Sequence, residues 1–324
     1  MALRIPLAAV YRGAATSPLV QLSLPELRGS GSVKTFFTSS TNKLSSFINR
    51  TKGVDKAVKA AAAVTELSRV IAMRTGAAEA VAGASTALGL FTDARSVIGL
   101  ANALNGSIPA MVDSGKNCKT LVMGLIKKQS FVAIGAKEDP QDGNESRVSI
   151  VDYNRLYCGR GEMALGLVDH ACGLVSSATY VTAFGPVRGT LFANRCSSFM
   201  APPVKQGFSQ AFNWLMAVNH AAGLIGSSCA LVHENKAYRR VLESCDLVAE
   251  SGEALDVTAR PRLKMVHQYF IIGHVVNLME KLTEMILDIF KIIPSIVSIL
   301  PLEAKAALGV LIGFVGLYKI WRTA

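Results

Sequence analysis

The chain has 324 residues, of which half are apolar and 18% are charged, with a formal net charge of +11. A typical soluble domain is roughly 25% charged, so this chain either buries an unusually large core or exposes apolar surface to lipid, and we favour lipid. The positive charge calls for an acidic partner. We prefer lipid to nucleic acid, and expect no nucleic-acid partner, because aromatic residues are few (7%) and are not interleaved with Lys and Arg. Anionic phospholipid headgroups suit a basic, apolar chain better.

Residues 1–50 are predicted to be a flexible basic leader. They are rich in Ser, Thr and Gly and contain one acidic residue, Glu26. This composition fits a transit-type or secretion leader, and it equally fits a poorly ordered polar N-terminus. The remaining residues, 51–324, are predicted to form one helical membrane-associated domain.

The first predicted helix runs from Val54 to Arg74 and is amphipathic. Its apolar stripe recurs at intervals of three and four, and we expect it either to insert into a membrane interface or to pack within a bundle. The stripe consists of Val54, Val58, Ala61, Val64, Leu67 and Ile71. Basic residues on the rest of this helix, Lys56, Lys59 and Arg69, are predicted to contact lipid headgroups.

Two more helices are predicted before the middle of the chain. One spans 85–104 and is expected to end at Asn105-Gly106 and Pro109, and the next spans 111–128. Residues 136–147 form the clearest loop signal, with Pro, Asp-Gly and Asn together. The flanking segments SFVAIG and RVSIVDY either pair as a small hairpin across that loop or form helix ends.

Apolar segments dominate the second half of the chain. Residues 162–184 are apolar apart from Asp169 and His170, and a break is predicted near 201–207. Residues 208–232 carry no formal charge and are long enough to span a bilayer. A charged, helix-favouring stretch, 234–253, follows.

The C-terminal region, 285–321, is predicted to be a membrane anchor in the form of an apolar helical hairpin. Its last uncharged run, 306–318, contains three glycines at spacings that let helices approach closely in lipid, namely Gly309, Gly313 and Gly316. Lys319 and Arg322 close the run and are predicted to reach the headgroups.

A short pattern occurs twice, as DHACG at 169–173 and as NHAAG at 219–223. A polar residue and a histidine followed by small residues are typical of a close helix–helix contact in an apolar bundle. We therefore predict that His170, Gly173, His220 and Gly223 pack between helices.

Recognisable catalytic chemistry is missing from the sequence. There is no HExxH, GxSxG or P-loop, the six cysteines match no zinc spacing, and GRGEMA at 159–164 lacks the strand that a dinucleotide site requires. We expect no catalytic residue, cofactor or metal. The one enzymatic alternative would use Asp169 and His170, but adjacent helical residues do not face each other.

The order of these parts resembles the peroxin-eleven family of peroxisomal membrane-elongation proteins. The likeness covers about residues 50–324 and rests on TKGVDK at 51–56, on ALGLFTDARSVIGLANAL at 87–104, and on MILDIF and GVLIGFVGLYKIW near the end. It implies a non-enzymatic, all-helical membrane protein that self-associates and shapes or elongates an organelle membrane, here the peroxisomal one, by inserting amphipathic helices.

The sequence thus predicts an all-α, membrane-associated helical bundle with amphipathic helices and an apolar C-terminal hairpin. Its expected partners are anionic phospholipids and further copies of the same chain. Two alternatives stay open. One is a secreted bacterial protein inserted into a host vacuole (inclusion) membrane, and the other is a soluble helical adaptor that buries the same stripes internally.

Overall fold

The computed structural model describes residues 51–134, 155–197, 199–250, 259–293 and 301–323. The predicted leader, the predicted loop at 136–147, the RVSIVDY segment and the side chain of Arg322 lie outside these described residues. Almost all of the described chain is helical, so the all-α prediction is confirmed.

Three helices make up the described chain before residue 130. Helix α1 is Thr51–Thr75, α2 is Ala78–Asn102 and α3 is Ile108–Ile126. Gly76, with a φ of 72°, forms the turn between α1 and α2, a conformation that glycine adopts without steric cost.

Five more helices follow a pair of short strands. Strands β1 and β2 are Phe131–Ala133 and Leu156–Cys158. The helices are α4 Gly159–Thr182, α5 Arg188–Ser197, α6 Pro202–Glu250, α7 Ala259–Ile292 and α8 Leu302–Thr323.

Two π-helical turns join helices that local sequence signals would separate. Ala103–Ser107 connects α2 to α3, and Ala183–Val187 connects α4 to α5. The prediction that Asn105-Gly106 and Pro109 end the helix was therefore wrong. A proline lacks a backbone N–H and its ring crowds the carbonyl four residues earlier. Each proline, Pro109 and Pro186, lies in or just after a wider π turn that accommodates this.

The predicted break near 201–207 falls slightly earlier in the structure. Helix α5 ends at Ser197, and Pro202 and Pro203 open α6, where proline is compatible with the first helical turn. Helix α6 then continues for 49 residues, so the segments 208–232 and 234–253, predicted separately, are largely one helix.

The described residues form two compact units. The first comprises 115–134, 155–171, 226–250 and 259–275. Its core contains Leu121, Val132, Tyr157 and Met163. The antiparallel pairing of β1 with β2 (Val132 opposite Tyr157) places two of these side chains in that core. The SFVAIG part of the hairpin interpretation is therefore correct, although its partner strand begins at Leu156. The expectation that GRGEMA at 159–164 lacks a strand directly before it was wrong, because β2 ends at Cys158.

The second unit comprises 51–114, 172–197, 199–225, 276–293 and 301–323. Helix α1 packs along both α2 and α8. A small aromatic core lies at the two π turns, where Phe184 packs against Tyr180 and Phe212. The side chain of Phe184 occupies the space that a Cβ at Gly99 would need, which explains the glycine on that face of α2.

Large apolar side chains on the surface of the second unit form stripes at helical spacing. Helix α2 exposes Leu90 and Val97, and Leu104 continues that stripe into the π turn. Helix α8 exposes Leu311, Phe314 and Tyr318 at intervals of three and four. The same unit buries apolar side chains, such as Val70 and Ile312, together with several charged ones, which are rarely buried in proteins unless they are paired.

Candidate functional site: a buried ionic cluster in the second unit

Three carboxylates occupy one face of α7. Glu280, Glu284 and Asp288 are spaced four residues apart, which places them on the same side of a helix. All three are buried, with Glu280 only 1% exposed. Buried carboxylates are rare unless they are paired, so the arrangement requires cations from neighbouring helices.

Lysines of α1 and α8 supply the first cations. Lys56 forms an ion pair with Glu280, and Lys319 of α8 lies 2.8 Å from the other oxygen of the same carboxylate. Lys59 forms an ion pair with Glu284. Two lysines on one turn of α1 therefore form ion pairs with α7, and a lysine of α8 pairs with one of the same carboxylates.

His220 of α6 completes the cluster. Its Nε2 lies 2.9 Å from Glu284, and its Nδ1 lies 2.6 Å from Asp288. Because a carboxylate only accepts hydrogen bonds, both contacts are hydrogen bonds when the imidazole carries two protons. Helices α1, α6, α7 and α8 thus meet in one connected network, which we call the ionic cluster.

The electrostatics of the ionic cluster favour charged carboxylates. Burial would raise the pKa of Glu280, but Lys56 and Lys319 outweigh it and lower that pKa to about 2. Burial likewise opposes ionisation of Glu284, and Lys59 and Lys56 still bring its pKa well below the usual range. Each carboxylate is therefore ionised at neutral pH despite its burial.

The two lysines of α1 respond differently to the same surroundings. Burial opposes the charge on Lys56, but Glu284 and Glu280 outweigh it and raise its pKa. Burial lowers the pKa of Lys59 to about 8, with Lys56 and Arg95 adding to the effect and Glu284 opposing it. Lys56 and Lys59 therefore differ in how strongly each holds its proton, although both are buried beside the same carboxylates.

Two cavities adjoin the ionic cluster. One, of about 280 Å³, is lined by Asp55, Tyr180 and Asn219. The other, of about 240 Å³, is lined by Arg188, Phe212 and residues of α1, α2 and α7. Among the residues that the structure covers, no group of three or more His, Cys, Asp or Glu is placed to hold a metal ion.

The predicted membrane-inserting stripe of α1 is only partly at the surface. Ala61, Val64 and Ile71 are exposed, whereas Val54, Val58 and Leu67 are half-buried. Ala60, one turn before Val64 on the same face, is buried where Gly313 of α8 packs against it, and Val70 is buried on another side of the helix. An apolar edge at 61, 64 and 71 therefore remains exposed.

Four of the five residues predicted to contact headgroups have described side chains, and each of these has a carboxylate partner in the structure. Lys56, Lys59 and Lys319 point to carboxylates of the ionic cluster, and Arg69 forms a bidentate pair with Glu66 on the surface of α1. The contact that the sequence assigned to headgroup phosphates is made by α7 carboxylates for the three lysines. The sequence alone does not show that carboxylates of α7 lie opposite these three lysines.

The three glycines of α8 lie against α1. An ideal Cβ on Gly313 would come within 2.8 Å of the Ala60 Cα, and one on Gly316 would come within 2.9 Å of Lys56. Gly309 is less crowded, with its nearest atom, in Ala63, at 3.7 Å. Because Gly316 of α8 has no side chain, Lys56 has room to reach Glu280.

The duplicated histidine pattern has two different environments. In the second unit, His220 belongs to the ionic cluster. An ideal Cβ built on Gly223 would lie 3.1 Å from the Lys281 side chain. An ideal Cβ built on Gly173 would lie 3.0 Å from the Ser114 hydroxyl oxygen. Each of these two glycines therefore lies at a close contact with another helix.

In the first unit, the ring of His170 packs edge-on against Tyr157, with centroids 6.3 Å apart, and its Nε2 is buried without a hydrogen-bond partner among the described residues. Burial lowers the pKa of His170 and raises that of Asp169 to about 6. No hydrogen bond joins these two side chains in the described structure. The geometry therefore offers no oriented acid–base pair.

Sequence reasoning missed the acidic half of the ionic cluster. The signal was present, because Glu280, Glu284 and Asp288 recur every four residues in an otherwise apolar helix. What was missing was the identity of the opposing helices.

Comparison with known proteins finds no matching family model, no matching curated protein and no matching solved structure.

Proposed function

We propose that this chain is a non-enzymatic membrane protein that self-associates and shapes or elongates an organelle membrane by inserting apolar helix faces into one leaflet. The peroxisomal membrane is the location that the resemblance to the peroxin-eleven family implies. The observation that carries the proposal is that the second unit exposes stripes of large apolar side chains while it buries a cluster of charged ones.

A soluble protein gains stability by burying apolar surface at roughly 25 cal/mol per Å². In the second unit, Leu90 is 66% exposed and Phe314 is 58% exposed, while Glu280 and Glu284 are buried. Water would penalise this arrangement, whereas lipid favours it because the apolar stripes then face hydrocarbon and the charges stay inside.

Helix α6 adds a candidate membrane span. Among the described helices, the segment Pro202–Glu243 of α6 is long and apolar enough to cross a bilayer. Its most apolar window has a mean hydropathy of 1.5. Only 22% of that window is buried within the protein. Its exposed side chains at Trp214, Val218 and Ile225 form a stripe like those of α2 and α8.

The wedge in this proposal is the exposed edge of α1. Val64 and Ile71 lie two turns apart on the same side of the helix and are 44% and 54% exposed. An apolar edge of this kind, flanked by polar residues, inserts shallowly into the interfacial region and expands one leaflet. The adjacent α8 stripe extends the inserted surface.

Membrane attachment is tested first, by washing membranes from expressing cells with alkaline carbonate. The proposal expects the chain to stay in the membrane fraction. Complete release, together with purification as a detergent-free monomer, would instead support the soluble adaptor.

Membrane shaping is tested separately by adding purified protein to vesicles containing anionic lipid and imaging them by electron microscopy. Ile71→Asp should abolish tubulation, because a charge opposes insertion, and the matched variant Ile71→Leu should retain it. Equal tubulation by the two variants would refute the wedge.

A further inference from the structure

The second cavity of the second unit, of about 240 Å³, has an unusual lining. Its volume is several times the roughly 30 Å³ that a water molecule takes up in the liquid. Side chains from α1, α2, α5, α6 and α7 surround it. It is therefore large enough for a small polyatomic group, and five helices determine its shape.

Cationic side chains outnumber acidic ones around this cavity. Lys59, Arg95, Arg188 and Lys291 line it, against Glu284 and Asp288. Both acids already bond to His220, and each also pairs with a lysine. The carboxylates are thus used within the ionic cluster, and a positive excess is left toward the cavity.

Arg188 is the clearest part of that excess. Its guanidinium lies 4.5 Å above the ring of Phe212, and its Nε is buried without a hydrogen-bond partner among the described residues. Burial lowers the pKa of Arg188, and the neighbouring Arg95 and Arg195 add to this. A guanidinium held in place by an aromatic ring, with its Nε–H donor unused among the described residues, is well prepared to bind an oxyanion.

Neutral donors complete the lining. Ser209 and Asn213 are one turn apart on α6 and both line the cavity. Within the described part of the chain, Arg95 makes one ion pair, a contact of 3.4 Å from its Nε to Asp55, which uses one of its five N–H donors. Guanidinium, amide and hydroxyl groups converging on one space are the donor set that phosphate oxygens require.

We infer that this cavity binds a phosphate group, with Arg188 and Arg95 as its main charged partners and Asn213 as a neutral donor. The phosphate belongs either to a soluble phosphate compound or to the headgroup of an anionic lipid. The inference does not rest on the proposed membrane shaping, because free phosphate would fill the same site.

Binding is measured by isothermal titration calorimetry on the purified full chain in non-ionic detergent, with inorganic phosphate as the first probe. The Arg188→Gln variant should weaken binding about tenfold or more, because it removes charge-assisted hydrogen bonds. The matched control is Arg74→Gln, which removes the same group from an exposed position in the same unit, outside the cavity. It should bind phosphate as the wild type does.

A second variant guards against misfolding. Asn213→Asp changes the side chain little in size but adds a negative charge at the cavity, so it should also weaken phosphate binding while the helical circular dichroism stays unchanged. Equal binding by wild type, Arg188→Gln and Asn213→Asp would overturn the inference.

The source of the phosphate is resolved by a second probe, short-chain phosphatidic acid, with short-chain phosphatidylcholine as its control. If phosphatidic acid binds more tightly than inorganic phosphate, and Arg188→Gln loses that binding, the site is assigned to a lipid headgroup. Tighter binding of inorganic phosphate assigns it to a soluble compound. If neither probe binds saturably, the inference is overturned. If the chain nevertheless stays in the membrane fraction after the carbonate wash, the proposed function still stands.

Discussion

Replacing Glu284 by Gln tests whether the ionic cluster holds the second unit together. Glu284 is buried and lies at the centre of the cluster, where it pairs with Lys59 and with His220 Nε2 at 2.9 Å. Lys56 and Lys281 lie 3.6 Å from it. The substitution keeps the shape of the side chain but leaves buried cations without their counter-charge.

The size of the effect follows from the cost of a buried, unpaired charge. Removing one partner of a buried ion pair destabilises a protein by about 3–5 kcal/mol. Glu284→Gln should therefore lower the free energy of unfolding by about 3 kcal/mol or more. The double variant Glu284→Gln, Lys59→Gln should recover part of the loss, since it also removes the nearest cation and so exposes the coupling between the two residues.

The assay is denaturant unfolding in detergent, followed by far-ultraviolet circular dichroism. Glu66→Gln is the matched control, because Glu66 pairs with Arg69 at the surface of α1 and such pairs contribute about 0–1 kcal/mol. If Glu284→Gln and Glu66→Gln lose the same small amount of stability, the ionic cluster does not hold the helices together and this reasoning is refuted.

Two further predictions concern the same helices. The pKa values of Glu280 and Glu284 are lowered in the folded chain, so their stabilisation is complete above the unfolded value of about 4.5. It should be lost as the pH falls from there toward about 2, and an unfolding midpoint that does not fall between about pH 5 and about pH 3 would contradict this. Gly313→Ala should destabilise the chain by roughly 1–3 kcal/mol, because the new Cβ would overlap the Ala60 backbone. Gly309→Ala, with its nearest atom at 3.7 Å, should change the unfolding midpoint little, and equal losses in both variants would show that α8 does not pack on α1 as described.

The helical content of this chain was predictable because it depends on local periodicity. The stripe from Val54 to Ile71 determines the first helix, and the structure begins and ends that helix within a few residues of the prediction. Helix ends were less predictable. Asn105-Gly106 is a stop signal in isolation, yet packing at Gly99 and Phe184 keeps the chain helical through a π turn.

The ionic cluster could not be predicted from sequence because it depends on which helices meet. The four-residue spacing of Glu280, Glu284 and Asp288 shows that they share a face, but not whether that face meets water, lysines or lipid. The same limit explains why Lys56 and Lys59 were assigned to headgroups. A lysine on an amphipathic helix looks solvated until the opposing helix is known.

We propose that the exposed apolar stripes of this protein face lipid, and the fluorescence of Trp214 reports directly on that contact. The chain has two tryptophans, and Trp214 lies on the α6 stripe with 58% of its side chain exposed. In a Trp321→Phe variant reconstituted into vesicles, we expect blue-shifted emission that brominated lipids quench strongly and that aqueous iodide quenches weakly. Emission quenched by iodide and insensitive to brominated lipid would contradict the account.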